Sequence, residues 1–139
     1  MKNIWFLLIF LLALSCEDKK SINTSNQVFI EKNVILESLA DNLSNPWGMT
    51  FLFDGSLLIT ERSGGVLRYK NGEMYKVNGV PEVIARGQGG LLDIVAHPNY
   101  KENKLIFFTA SVGTKASLST ALFRAQFNND QFLSVIKLF

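Results

Sequence analysis

The sequence is poor in the residues that most often announce a chemistry. It has one cysteine, Cys16, one histidine, His97, and three prolines in 139 residues. A lone cysteine cannot form an internal disulfide. A lone histidine leaves a single candidate for an imidazole base. Neither charge sign dominates: the formal net charge is +2 with both signs interspersed, so no basic patch argues for nucleic acid. No amphipathic helical stretch of convincing length follows the first sixteen residues. The familiar phosphate loops are missing too. A P-loop needs Gly-Lys-Ser/Thr opening a helix, and here Gly90 is followed by Leu91, Leu92 and Asp93. A dinucleotide fingerprint needs a third glycine where Leu92 stands, and His97-Pro98 ends the apolar run in a way no helix interior tolerates.

What is present begins with a leader. Met1-Lys2 gives a short positive start, Ile4 to Leu14 is almost wholly apolar, and Ser15-Cys16 follows. This is a secretory signal core, too short to span a bilayer comfortably. Residues 1–16 are therefore expected to be a signal peptide. "LLALSC" resembles the end of a bacterial lipoprotein signal, cut before Cys16 so that lipid is attached to its thiol; the alternative is an ordinary signal peptide with a chance cysteine. Lipid on Cys16 would make the protein membrane-anchored rather than spanning, at the bacterial cell envelope. Residues 17–33, opening with the polar run "EDKKSINTSN", are expected to be a tether.

From residue 34 onward turn signals punctuate short apolar runs. Asp54-Gly55 separates "GMTFLF" from "SLLIT", Ser63-Gly64-Gly65 precedes "VLRY", and Asn71-Gly72 precedes "EMYKV". Asp-Gly and Asn-Gly between such runs are strong hairpin signals. They predict four antiparallel strands near 47–52, 56–61, 66–70 and 74–78. The pattern then restarts. "LLDIVAHPNYKENKLIFFT" echoes "GMTFLFDGSLLIT", with a longer first turn, and Thr60 and Thr109 stand 49 residues apart. "STALFRAQF", a turn at Asn128-Asn129-Asp130, and "FLSVIKLF" supply the third and fourth strands of the second copy. Four strands in some 40–50 residues is the size of a β-propeller blade. A β-sandwich fragment has strands of similar length, but the tandem repeat favours the propeller. The expected fold is all-β, a β-propeller of which about two blades are present. Two blades leave apolar faces open, so the chain is expected to be the front of a longer protein.

"RGQGGLLDIVAHPNY", Arg86 to Tyr100, is the one glycine-rich loop. By spacing alone it is either a tight connection into a strand or a place where backbone approaches a ligand closely.

In order and spacing, "NPWGMTFLFDGSLLITER" (Asn45 to Arg62), "GVPEV" and "GQGGLLDIVAHPNY" resemble the soluble glucose and sorbosone dehydrogenases, which are six-bladed propellers using pyrroloquinoline quinone (PQQ). The resemblance covers about Val34 to Phe139, and Phe53 departs from it where the family has proline before Asp-Gly. It implies a quinoprotein oxidising aldose sugars to lactones, with hydride passing from C1 of the sugar to the quinone and electrons leaving to an external acceptor. It places Gln88 beside both quinone and sugar, and Gly89 beside the quinone, with Gly87 and Gly90 helping the backbone approach the cofactor. It implies no catalytic residue and no metal ligand within these residues: the base and the ligands of the family's calcium come from later segments, beyond Phe139. His97 is expected to be a turn residue, in the position of Phe53-Asp54 in the first copy. Asp93 is expected to support the loop, Glu61 and Arg62 to form an ion pair or support a turn, and Trp47 to be a blade-core aromatic. The rival reading is a non-catalytic envelope propeller that binds a glycan or a protein, since propellers host many functions.

Overall fold

The computed structural model describes residues 30–31 and 34–139. The signal peptide, Cys16 and all of the tether but Ile30–Glu31 lie outside the described residues. The chain divides between Ser38 and Leu39, and the two parts are treated separately. In the first, strand β1 (Ile30–Glu31) pairs antiparallel with β2 (Val34–Ile35), across the boundary drawn at 33/34.

The second part, Leu39–Phe139, is built from the hairpins that the turn signals announce. Strands β3 (Pro46–Phe51), β4 (Leu57–Glu61), β5 (Gly65–Lys70) and β6 (Glu73–Lys76) form one antiparallel sheet in chain order. At Asp54-Gly55 the turn closes by Gly55 N–H donating to Leu52 O at 3.0 Å, and Asp54 Oδ1 accepts from Ser56 N at 3.1 Å and from Ser56 Oγ at 2.6 Å. That side-chain mimicry of a backbone turn is why aspartate is favoured there. Asn71 and Gly72 both have positive φ, 53° and 85°, the pair that a type I′ hairpin demands.

The second sheet repeats the order with β7 (Leu91–Ala96), β8 (Leu105–Gly113), β9 (Leu118–Asn128) and β10 (Gln131–Lys137). Its last hairpin turns at Asn129 and Asp130, both left-handed at φ 48° and 55°. The longer first turn contains a feature absent from the sequence expectation, a single helical turn α1 (Tyr100–Asn103). Asn103 and Lys104 close it: Lys104 adopts φ 57° and donates its N–H to Tyr100 O at 2.9 Å.

The two sheets are successive β-propeller blades, and the repeat extends to single atoms. Each inner strand is bulged, between Pro46 and Met49 in β3 and between Leu91 and Ile94 in β7. In each blade the strand-two threonine receives an N–H from that bulge. Gly48 N donates to Thr60 Oγ1 at 2.9 Å, and Asp93 N donates to Thr109 Oγ1 at 3.2 Å. Thr60 also donates across to the next blade, to Leu92 O at 2.6 Å.

One core joins the blades. Leu58 and Val66 of the first meet Ile94, Ile106, Phe108, Phe123 and Phe132 of the second. Phe108 stacks on Phe123 at 5.2 Å and on Phe132 at 5.5 Å between centroids. Burial of each such side chain contributes about 1.5–3 kcal/mol. At the edge of this core sits Arg68, its side chain only 13% exposed, with Asp54 at 2.7 Å and Asp130 at 2.9 Å. Burial works against the guanidinium's charge, but the hydrogen bond from Arg68 to Asp130 and the two carboxylates outweigh it and raise its pKa. Hydrogen bonds from Ser56, with Lys70 and Arg68 nearby, hold the Asp54 carboxyl well below the usual range.

Candidate functional site

The glycine-rich loop precedes β7 and lies against the end of β4. Its connection to the first blade runs through Arg62. The Arg62 amide donates to Asn45 O at 3.1 Å, and its carbonyl accepts from Leu91 N at 3.0 Å. The guanidinium reaches the other side of the loop, Nη1 donating to Gly87 O. Glu61 goes elsewhere: its Oε1 accepts from Ser44 N at 2.6 Å. In place of the expected ion pair or turn support, the two side chains hold other segments, Glu61 the residues before β3 and Arg62 the glycine-rich loop.

Two glycines matter for different reasons. Gly90 has φ 148°, and a Cβ there would stand 2.1 Å from Arg62 O and 2.7 Å from Arg62 Cγ. The loop lies directly on the Arg62 backbone and stem, and only glycine permits that. Gly87 has φ 56° with nothing within 4 Å of a notional Cβ, so it faces open space. The Gly89 amide is engaged inside the loop, donating to Arg86 O at 2.8 Å. From the second blade, Ser111 Oγ accepts from Gly90 N at 3.0 Å.

Between these supports opens a cleft of about 360 Å³ lined by Asn45, Pro46, Trp47, Arg62, Gly87 and Gln88. Gln88 is exposed at this cleft, and Arg62 is the only charged residue of its lining. Trp47 corrects the expectation of a core aromatic. The residue is 48% exposed and lines the cleft, because it stands in phase with Met49 and Phe51 on the exposed face of β3. Asn45, Trp47, Arg62 and Ser111 were the residues that sequence reasoning did not assign to the loop. Asn45 and Trp47 carried a weak signal, standing within the motif "NPWG".

The remaining candidates sit as supports. Asp93 Oδ1 accepts from Ile94 N at 2.9 Å, on the exposed side of β7. His97 lies at the far end of β7, in the turn to β8. Asn99 N–H donates to its Nδ1 at 3.0 Å, and Asn103 Nδ2 stands 2.9 Å from the same nitrogen. A backbone N–H can only donate, so Nδ1 accepts in this turn. The six residues of β7 separate His97 from Gly90, about 20 Å at the strand rise. Among the described residues no group of three or more His, Cys, Asp or Glu is gathered to hold a metal ion.

Comparison with known proteins agrees with this architecture. The family model described as Glucose / Sorbosone dehydrogenase matches residues 43–139. The chain is 37% identical over 101 residues to Aldose sugar dehydrogenase YliI of Escherichia coli, covering 70% of this chain and 27% of that protein. The crystal structure of the soluble aldose sugar dehydrogenase from Escherichia coli in the apo form superposes with a TM-score of 0.69 at 34% identity, over 74% of this chain and 31% of that one. The PQQ-bound aldose sugar dehydrogenase from Streptomyces coelicolor gives 0.65 at 28% identity, over 75% and 32%. The chain thus spans about a quarter to a third of the length of these relatives. With two blades in the expected order and the family model spanning both, the chain belongs to the glucose/sorbosone dehydrogenase family.

Proposed function

We propose that these residues form part of a PQQ-dependent dehydrogenase that oxidises aldose sugars to lactones. The observation that carries this reading is the cleft in which an exposed Gln88 stands beside Arg62 and Trp47, in a chain of this family. The residues fit the edge of a planar anion rich in carbonyls. Gly87 faces open space, and the Gln88 amide both donates and accepts. Gln88 would hold the quinone and a sugar hydroxyl. Gly89 shapes the turn behind Gln88, its own N–H being engaged with Arg86. PQQ, when bound, supplies a two-electron acceptor for the hydride leaving C1 of the sugar. The contribution of this chain is position: a fixed amide keeps the sugar aligned, and alignment supplies much of the rate of such a transfer. The reaction also needs a base for the C1 hydroxyl, and His97 is engaged in the β7–β8 turn. Residues 17–139 alone are therefore expected to be inactive. Calcium, which the family resemblance implies, is assigned no ligand in this chain.

The test is made on the intact protein. PQQ and calcium are titrated in, and dye reduction is followed with glucose and other aldoses. Saturable PQQ-dependent turnover is expected, with Gln88→Ala lowering it roughly three- to tenfold, the worth of one neutral hydrogen bond. A folded protein that neither binds PQQ nor reduces the dye would overturn the reading in favour of a propeller that only binds.

A further inference from the structure

Gln88 is flanked by glycine on both sides, and within the loop only the turn bond from Gly89 N to Arg86 O restrains it. Something else must hold the amide where a ligand can use it. We infer that Arg62 is the positioning residue of this loop: it fixes Gln88 by holding the Gly87 carbonyl, and it acts on the reaction only through Gln88. The inference rests on the reading above that Gln88 faces the ligand.

Three features lead to Arg62. Its backbone is held to both blades, the amide by Asn45 O at 3.1 Å and the carbonyl by Leu91 N at 3.0 Å. Its Cα is therefore a fixed point at the joint. Its side chain then crosses to Gly87 O, one residue before Gln88. A guanidinium donor to a carbonyl is stronger than a neutral hydrogen bond, and its planar fork keeps the donor aimed. Finally, the loop rests on Arg62 itself, since a Cβ on Gly90 would collide with both Arg62 O and Arg62 Cγ. The segment Gly87–Gly90 is thus gripped by Arg62 at both ends, with Ser111 Oγ receiving Gly90 N from the second blade. Gly87 at φ 56° has nothing within 4 Å of a notional Cβ, so the turn bond from Gly89 N to Arg86 O and the bond from Arg62 are what restrict it.

The experiment uses the intact protein and the substitution Arg62→Met, which keeps the stem beneath Gly90 and removes the guanidinium. Hydrogen exchange of the segment 84–91 is measured without any cofactor. Arg62→Met is expected to speed exchange in that segment while leaving the melting temperature near that of the parent, and Gln88→Ala to leave it unchanged. Arg62→Lys keeps a donor without the fork and is expected to fall between. Kinetics follow as a double-mutant cycle with PQQ and an aldose. Arg62→Met is expected to lower kcat/KM about three- to tenfold, by no more than Gln88→Ala does, and the double variant to match Gln88→Ala alone. Unchanged exchange in Arg62→Met would overturn the inference. So would multiplicative losses in the double variant, which would mean that Arg62 touches the ligand itself. If Gln88→Ala is fully active, the ligand reading of Gln88 fails, and with it the link from Arg62 to the reaction. The exchange data then still report whether Arg62 holds the loop.

Discussion

Arg68 Nη1 donates to Asp130 Oδ1 at 2.9 Å across the joint between the blades, joining residues 62 apart in the chain. The same guanidinium holds Asp54 through Nη2 at 2.7 Å and Ser56 Oγ through Nε at 3.0 Å, and lies 5.5 Å from the centroid of the Phe127 ring. Removing it takes the ion pair from Asp130 and one of two from Asp54, which keeps Ser56 and Lys70. Arg68→Met is expected to destabilise the intact protein by about 1–3 kcal/mol, read as a lower denaturant midpoint.

The same network sets an acid limit. The folded-state pKa of Asp54 is depressed, chiefly by its hydrogen bond from Ser56. A depressed carboxylate stabilises the fold above its ordinary pKa, about 4, and that contribution is lost as pH falls through the lower folded value. Melting temperature is expected to decline from about pH 4 downward, with a shallower decline in Asp54→Asn. Equal slopes in the two proteins would show that Asp54 contributes nothing.

Thr60 and Thr109 occupy equivalent places but make different bonds. Thr60 caps its bulge and also reaches Leu92 of the next blade, whereas Thr109 is recorded only with Asp93 N. Thr60→Val should cost about 1–3 kcal/mol and Thr109→Val about 0.5–1.5 kcal/mol. The comparison is read from paired urea titrations of the intact protein, and equal costs would sink the claim that Thr60 clips the blades together.

His97→Ala removes the acceptor for Asn99 N–H and loosens the turn before β8. A loss of roughly 1–2 kcal/mol is expected, with PQQ-dependent kcat unchanged in the fraction that stays folded. A rate loss of several orders of magnitude in folded, cofactor-loaded protein would identify His97 as the base after all.

We propose that Cys16 is lipidated and holds the protein at the bacterial cell envelope. Cells expressing the protein with labelled palmitate should label it, and Cys16→Ala should remove the label. Label that survives the substitution would leave an ordinary signal peptide as the reading.

The strands and hairpins were legible because their determinants are local. Asp54-Gly55 and Asn71-Gly72 impose their turns through bonds and dihedral angles within four residues, whatever surrounds them. The repeat was legible for a related reason, since each blade must alternate and turn in the same way to bury its share of one core. The motifs around Trp47 and Gln88 also marked the family from sequence alone. What tertiary structure decided is everything that crosses between blades. Nothing near Arg62 in sequence says that its guanidinium ends on Gly87, 25 residues away, or that Gly90 must lack a side chain to rest on it. Nothing near Trp47 says that its face of β3 borders the cleft beside Gln88. Hydrophobic pattern dictates which faces are buried, but the register of one blade on the next follows from how the side chains of both sheets fill the space between them. Only that register brings Arg62 to the loop and Arg68 to Asp130.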